Sequence, residues 1–398
     1  MPRILVTLGT RPEAIKLCPV IRRLSRPASG FDVEVCVTGQ HREMLDQALA
    51  VFGVQPAYDL DVMRPGQTLA GSAGRILTAL EPVLEQARPD LALVQGDTTS
   101  AFCAALAAFY RRIPVGHIEA GLRTGDRFHP FPAEMNRILI GRLASLHFAA
   151  TVQAAVNLEA EGVPASRVFV TGNTGVDAVL SVASDLDNER LERPVWPWLD
   201  PRRRLILVTA HRRESFGDGF ESICDALLEL SRRPDVQIAY PVHPNPAVRE
   251  AVNSHLGRAG RIRLLEPLDY VSFVDLMSRS YLILTDSGGI QEEAPALQKP
   301  IFVLRETTER PEAVAVGASK LVGRRPEQIV SEVAAVLDNP AAYARMASAG
   351  SPYGDGAASS RIATELERFF GPRSLRLGAS EAVELDLEEQ ILRALPQA

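Results

Sequence analysis

Residues able to do chemistry recur in short polar segments, each placed at or just after a short apolar run. Residues 4–8 lead into Gly9-Thr10-Arg11-Pro12-Glu13 and Lys16, and residues 33–38 into Gly39-Gln40-His41-Arg42. Next come Gly96-Asp97-Thr98-Thr99 and His117-Ile118-Glu119-Ala120-Gly121-Leu122-Arg123. The second half supplies His211-Arg212-Arg213-Glu214, His243, Asp286-Ser287-Gly288-Gly289 and residues 305–310. Arg11, Lys16, Arg212 and Arg310 can neutralise phosphates, while Asp97, Glu119 and His211 are candidate acids or bases. The set suits an anionic ligand together with proton transfer.

Several of these residues have a second reading. Residues 281–284 are apolar and run into two glycines and a helical pattern, so Ser287, Gly288 and Gly289 read as a strand end, a tight turn and a helix N-terminus. The free N–H groups there suit a diphosphate, and an ordinary turn with Ser287 as N-cap is equally compatible. Asp97 directly precedes a helical run, so cap and catalyst both fit. Glu119 follows an apolar strand with Ala-Gly after it and has no helix to cap, which favours a functional role. The histidines, at 41, 117, 129, 147, 211, 243 and 255, show neither H-x-H nor H-x-x-x-H spacing, so no metal is expected. Gly9-Thr10-Arg11-Pro12-Glu13 lacks the later glycines of G-x-G-x-x-G, so no dinucleotide cofactor is expected either.

The elements that must position these residues alternate. Strand patterns cover 4–8, 33–38, 91–95, 115–118, 146–149 and 168–170, separated by helical patterns at 13–24, 41–52, 69–86, 99–110, 133–143 and 152–161. Charges and then Pro194-Val195-Trp196-Pro197-Trp198 break the pattern before strands resume at 205–209, 237–240, 262–264, 281–284, 301–303 and 320–322. The alternation predicts an α/β protein of two doubly wound, Rossmann-like domains, residues 1–184 and 205–371, with a linker at 185–204 and an acidic appendage at 372–398. Ligands of such sheets bind beyond the carboxyl ends of the strands, where the polar segments fall, and an interdomain cleft follows.

Bulk properties narrow the function. A chain of 398 residues exceeds what one core usually sustains, in agreement with two domains. The net charge of −6 and the lack of a Lys/Arg block interleaved with aromatics argue against nucleic acid as a partner. Cys18, Cys36, Cys103 and Cys224 stand apart inside apolar segments, as small core residues of a reducing compartment do. The chain opens on a strand pattern without a leader, and no apolar run approaches membrane-spanning length, so the expectation is a cytoplasmic protein without a membrane partner.

Taken together, Gly9-Thr10-Arg11-Pro12-Glu13, Gln40-His41-Arg42-Glu43, Gly96-Asp97-Thr98-Thr99, Glu119-Ala120-Gly121-Leu122-Arg123, Gly172-Asn173-Thr174, His211-Arg212-Arg213-Glu214, residues 286–293 and residues 307–312 resemble the bacterial non-hydrolysing UDP-N-acetylglucosamine 2-epimerases. The resemblance covers residues 1 to about 370. It implies a GT-B arrangement, a nucleotide sugar in the cleft and a homodimer, with UDP and UDP-N-acetylglucosamine as ligands. It implies inversion at carbon 2 by anti elimination of UDP and syn re-addition through 2-acetamidoglucal, with Asp97, Glu119 and His211 as catalytic residues. Ser287, Gly288, Gly289 and Arg11 would bind the diphosphate, and Phe273 and the backbone near Leu268 the uracil. Glu293 would take the ribose hydroxyls, and Arg310 and Lys16 would lie by the sugar and phosphates. Gln40, His41, Arg212, Glu214 and His243 match an allosteric substrate site. One departure stands out: the family's catalytic first glutamate of Pro-Glu-Glu is Ala133 here, followed by Glu134. Neighbouring helix residues point about 100° apart, so Glu134 does not simply substitute. The alternative readings are a slow or inactive UDP-sugar-binding homologue, natural or an engineered trap, and a glycosyltransferase or 2-epimerase acting on another UDP-sugar.

Overall fold

The computed structural model describes residues 1–39, 42–64, 66–210, 218–243 and 245–371, with residues 42, 43, 218, 219 and 247 described by their backbone alone. The first half runs β1 (Arg3–Leu8), α1 (Arg11–Leu24), β2 (Asp32–Val37), α2 (Arg42–Val51), β3 (Tyr58–Asp59), α3 (Leu69–Ala87), β4 (Leu91–Gln95) and α4 (Thr99–Tyr110). It continues through β5 (Val115–Ala120), α5 (Ala133–Leu143), β6 (Leu146–Ala149), α6 (Val152–Ala160), β7 (Val168–Val170) and α7 (Thr174–Asp187). The second half runs β8 (Arg204–Thr209), α8 (Asp218–Ser231), β9 (Val236–Pro241), α9 (Pro246–Leu256), β10 (Ile262–Leu265), α10 (Tyr270–Arg279), β11 (Leu282–Thr285) and α11 (Gly288–Glu293). It closes with β12 (Ile301–Val303), α12 (Pro311–Ala315), β13 (Ser319–Leu321), α13 (Pro326–Asp338), α14 (Pro340–Ala347) and α15 (Ala358–Phe370).

The strands form two parallel sheets, β3-β2-β1-β4-β5-β6-β7 and β10-β9-β8-β11-β12-β13. Helices cover both faces, which is why strands such as β4 are buried at every position and read as unbroken apolar runs. The strand order reverses between β1 and β4 and again between β8 and β11, and a crevice opens beyond the strand ends at each reversal. The doubly wound architecture is the one expected from the alternation. Strand β3 is the element that periodicity misses, because its two residues, paired as Cys36 with Tyr58 and Val37 with Asp59, are too few to carry a pattern.

At the first reversal, sequence-local chemistry sets the geometry. Thr10 caps α1, and the Glu13 carboxylate accepts from the N–H groups of Gly9 and Thr10 at 3.0 and 2.8 Å, completing a capping box. The other Glu13 oxygen accepts from Thr98 Oγ1 at 2.7 Å, so one buried carboxylate joins the β1–α1 turn to the β4–α4 turn. Behind these turns a single apolar core runs from Leu8 of β1 through Leu17 and Leu24 of α1 and Val182 of α7 to Tyr270 and Ile283 beside the second sheet. Each such fully buried side chain contributes about 1.5–3 kcal/mol, so the two halves are packed against each other and not merely tethered.

Helix α15 follows the second sheet in sequence but lies in space on α1 and α7. Its buried residues Ala358, Ser359, Ile362, Ala363 and Leu366 recur at helical spacing and form one apolar stripe. Ala357 offers no side chain to cap it; Asp177 of α7 accepts instead from the N–H groups of Ala358 and Ser359 at 3.1 and 2.7 Å.

Candidate active site

Glu119 sits at an irregularity in β5, where the register with β6 shifts between Ile118 and Ala120, and its φ is 62°. A non-glycine residue held in the left-handed region costs of order 1–3 kcal/mol and persists only where its surroundings impose it. Here the bend turns the buried carboxylate toward Gln95 of β4, whose Nε2 donates to Oε2 at 2.9 Å, and toward Lys16 of α1, whose Nζ lies 2.5 Å from the same oxygen.

Lys16 also reaches Oε2 of Glu292 on α11 at 3.1 Å, and Asn173 Nδ2 donates to that oxygen at 2.9 Å. The other Glu292 oxygen accepts from Arg310 Nε at 2.8 Å. Arg310 Nη1 then meets Glu309 at 2.7 Å, and Glu309 meets Arg305 Nη1 at 2.6 Å. Acid and base alternate along Glu119, Lys16, Glu292, Arg310, Glu309 and Arg305, crossing from the first sheet to the rim of the second.

Burial sets the proton affinities, and the ion pairs modify them. Burial pushes the Glu119 carboxyl above the ordinary carboxylate range while Lys16 pulls the other way. Burial also opposes the charge of Lys16, but Glu119 and Glu292 outweigh it and hold the ammonium firmly protonated. For Glu292, burial favours the acid, and Lys16 and Arg310 together overcome it, keeping a carboxylate. Its neighbour Glu293 is raised to about 8 by burial, with Lys16 and Arg11 only partly offsetting the effect. Near neutrality Glu293 is therefore mostly a protonated acid able to donate a hydrogen bond.

The Gly288 backbone lies under the Arg310 guanidinium: a Cβ there would come within 2.6 Å of Cζ. The glycine thus supplies space, and Arg310 lies directly over the start of α11. Ser287 heads α11 without a side-chain capping bond, so its hydroxyl does not act as an N-cap; Gly289, two residues on, is half-buried. Arg11 opens α1 and its Nη2 donates to the Leu268 carbonyl at 3.2 Å, joining the two halves across the crevice. Phe273, on α10, is half-buried and packs against the common core.

Asp97 is not the cap of α4, because Thr98 takes that position and accepts from Ala101 N–H at 3.0 Å. The Asp97 carboxylate is held instead by Arg137 of α5, and its carbonyl accepts from Asn136 Nδ2 at 2.9 Å. Ala133 begins α5 and is half-buried. The adjacent Glu134 turns inward, where its carboxylate accepts from Thr124 N–H at 2.9 Å and Gly125 N–H at 3.2 Å and pairs with Arg137 at 3.1 Å. His243 is exposed after β9, and its Nδ1 accepts from Asn245 N–H at 3.2 Å. Gln40, His41, His211, Arg212 and Glu214 lie outside the described residues, as does the appendage 372–398.

Sequence reasoning does not single out Gln95, Asn173, Glu292, Glu309 or Arg137 for this cluster. Glu292 and Glu293 look interchangeable as letters; on a helix they project about 100° apart, and it is Glu292 that takes the hydrogen bonds of Lys16 and Arg310 while Glu293 feels Lys16 and Arg11 as neighbouring charges. Among the described residues no group of three or more His, Cys, Asp or Glu could hold a metal ion, and no helix is long and apolar enough to cross a membrane.

Comparison with known proteins adds to this geometry. Residues 23–367 match the model of a family described as UDP-N-acetylglucosamine 2-epimerase. The UDP-N-acetylglucosamine 2-epimerase of Escherichia coli K12 is 51% identical over 370 residues, covering 92% of this chain and 98% of that one. Among solved structures, the UDP-GlcNAc 2-epimerase of Neisseria meningitidis bound to UDP-GlcNAc superposes with a TM-score of 0.85 at 45% identity, covering 92% of this chain and 100% of that one. The Methanocaldococcus jannaschii UDP-GlcNAc 2-epimerase, in complex with UDP-GlcNAc and UDP, gives 0.76 at 33% identity, covering 92% and 99%.

Proposed function

The chain belongs to the UDP-N-acetylglucosamine 2-epimerase family, with two sheets in the GT-B arrangement, and from that premise we propose that it interconverts UDP-N-acetylglucosamine and UDP-N-acetylmannosamine. The reaction is an isomerisation. A base removes the C2 proton as the C1–O bond to UDP breaks, giving 2-acetamidoglucal and UDP; syn re-addition re-forms that bond and protonates C2 from the other face.

The observation that carries this reading is the continuous ion network from Glu119 to Arg310. It couples a strained, buried carboxylate of raised proton affinity to cations at the start of α11. Chemistry of this kind needs both ends. A proton must move at C2, and the departing diphosphate must be stabilised and retained until it returns. Asp97, Glu119 and His211 are assigned to proton transfer. Arg11, Ser287, Gly288 and Gly289 hold the diphosphate, and Lys16 and Arg310 lie by the phosphates and sugar. Phe273 and the backbone at Leu268 take the uracil, and Glu293, as a neutral acid, meets the ribose. Gln40, His41, Arg212, Glu214 and His243 form a second substrate site that regulates the first. The protein acts as a cytoplasmic homodimer.

A second reading rests on Ala133. The neighbouring Glu134 is engaged by Arg137 and the 124–125 backbone, so it leaves this position without a carboxylate, and slow turnover with normal UDP-sugar binding follows. Incubation with UDP-N-acetylglucosamine in deuterated water separates the two. The C2 epimer with deuterium at C2 is expected. Binding without either product supports the slow homologue, and neither binding nor conversion sinks both readings.

A further inference from the structure

Glu292 has no role in the assignment above, yet it is 1% exposed and accepts three hydrogen bonds from three separate elements. Lys16 comes from α1, Asn173 caps α7, and Arg310 immediately precedes α12. We propose that Glu292 is a positioning residue of the active site: its carboxylate fixes where Lys16 and Arg310 point and, through Lys16, governs the charge that Glu119 meets. The inference rests on the reading of Lys16 and Arg310 as contacts of the UDP moiety and of Glu119 as a proton-transfer group.

The directions of the bonds make the case. Asn173 Oδ1 is engaged by Gly175 N–H at 2.8 Å, so its amide is fixed and Nδ2 points at Glu292 Oε2. That oxygen is shared with Lys16, and the other oxygen is committed to Arg310. All three partners are donors, so only a group with two acceptor oxygens satisfies them. An amide in either orientation would turn its own N–H groups toward at least one donor. A carboxylate one residue away cannot take its place, because Glu293 points in a different direction along the helix.

Lys16 links this arrangement to Glu119. Five groups act on Glu119: Lys16 from α1, Gln95 from β4, Glu292 and Glu293 from α11, and Arg310 from the segment before α12. The Glu292 charge disfavours ionisation of Glu119 and also shares the Lys16 ammonium, which lies 2.5 Å from Glu119 and 3.1 Å from Glu292. Neutralising Glu292 removes the first effect and leaves Lys16 to Glu119 alone. Both changes favour the Glu119 carboxylate and move its titration to lower pH.

The full-length protein is compared with Glu292→Gln and Glu292→Asp, using calorimetry with UDP and the pH dependence of kcat. For Glu292→Gln we expect about tenfold weaker UDP binding and an acidic limb of kcat displaced downward by about one pH unit. Glu292→Asp keeps the charge but is too short to span both cations, so the limb stays and UDP binding weakens. Either readout unmoved in a folded Glu292→Gln protein overturns the proposal. Should that variant fail to fold by circular dichroism, wild-type UDP affinity in Glu292→Asp overturns it. If the wild type binds UDP without epimerising the sugar, the proposed function fails and the UDP comparison alone decides here. A wild type that does not bind UDP overturns both.

Discussion

Arg137 grips Asp97 through one oxygen: its Nε and Nη2 lie 2.7 and 2.6 Å from Oδ2. On its far side Nη1 meets Glu134 at 3.1 Å, so Arg137 stands between two carboxylates and aims one of them. With Asp97 assigned to proton transfer as proposed, Arg137→Ala is expected to lower kcat by about 10- to 100-fold with little change in KM, because the placement of that group is lost. It also leaves Glu134 buried without its cation, at a cost of roughly 3–5 kcal/mol in a denaturant titration. Wild-type kcat in the folded variant would show that Asp97 does not depend on this contact.

Ala133 makes the second prediction. A positioned acid or base contributes about 10² to 10⁴ in rate, and a methyl group supplies neither proton nor acceptor. Ala133→Glu should raise kcat and leave KM nearly unchanged. If kcat does not move, and the unaltered protein already exchanges its C2 hydrogen rapidly with solvent, then Asp97 and Glu119 suffice and position 133 carries no catalytic role.

Two substitutions at the start of α11 should converge. On the proposed assignment, Arg310→Ala removes charge-assisted hydrogen bonds from UDP, worth roughly 2–5 kcal/mol of binding free energy. Gly288→Ala leaves the arginine in the chain but puts a methyl group where its guanidinium lies, at 2.6 Å from Cζ, so the side chain must move. Calorimetry should find both variants weaker than wild type, with Arg310→Ala the weaker. Unchanged UDP affinity in Arg310→Ala would remove that residue from the ligand site.

Glu293 imposes a pH dependence on stability. Its folded pKa of about 8 lies above the ordinary value of 4.5, so between these values the folded chain keeps a proton that the unfolded chain has released. Its contribution is fully present below pH 4.5 and is lost as pH rises through 8, on the order of a few kcal/mol. Glu293→Gln cannot ionise and should lose less Tm than wild type between pH 5 and pH 8. Parallel Tm curves would place the pH dependence elsewhere.

The sequence carried the fold more fully than it carried the site. Runs such as Leu91–Gln95 and Leu146–Ala149 announce parallel strands because both of their faces are covered, and the resemblance read from the motifs agrees with the family match. Two alternatives needed coordinates. The letters Asp-Thr-Thr do not say which residue caps α4, and it is Thr98. Nor does Ser-Gly-Gly say whether glycine provides a backbone conformation or room for a neighbour; at Gly288 it provides room for Arg310. The strain at Glu119 and the partners of Glu292 are set by residues eighteen or more positions away, Arg310, Gln95 and Lys16 among them, so no local pattern could show them.

The cap that Asp177 places on α15 bears on how the protein is made. A ribosome delivers α1 and α7 long before α15, yet Ile362, Ala363 and Leu366 belong to the same core as those two helices. Topologically, the whole second sheet is an insertion between parts of one discontinuous unit. During synthesis the α1 and α7 surface must wait, uncovered, while residues 188–357 emerge and fold. Until then Asp177 has no helix end to accept from, so a nascent chain stalled before residue 358 should engage chaperones that the released protein does not.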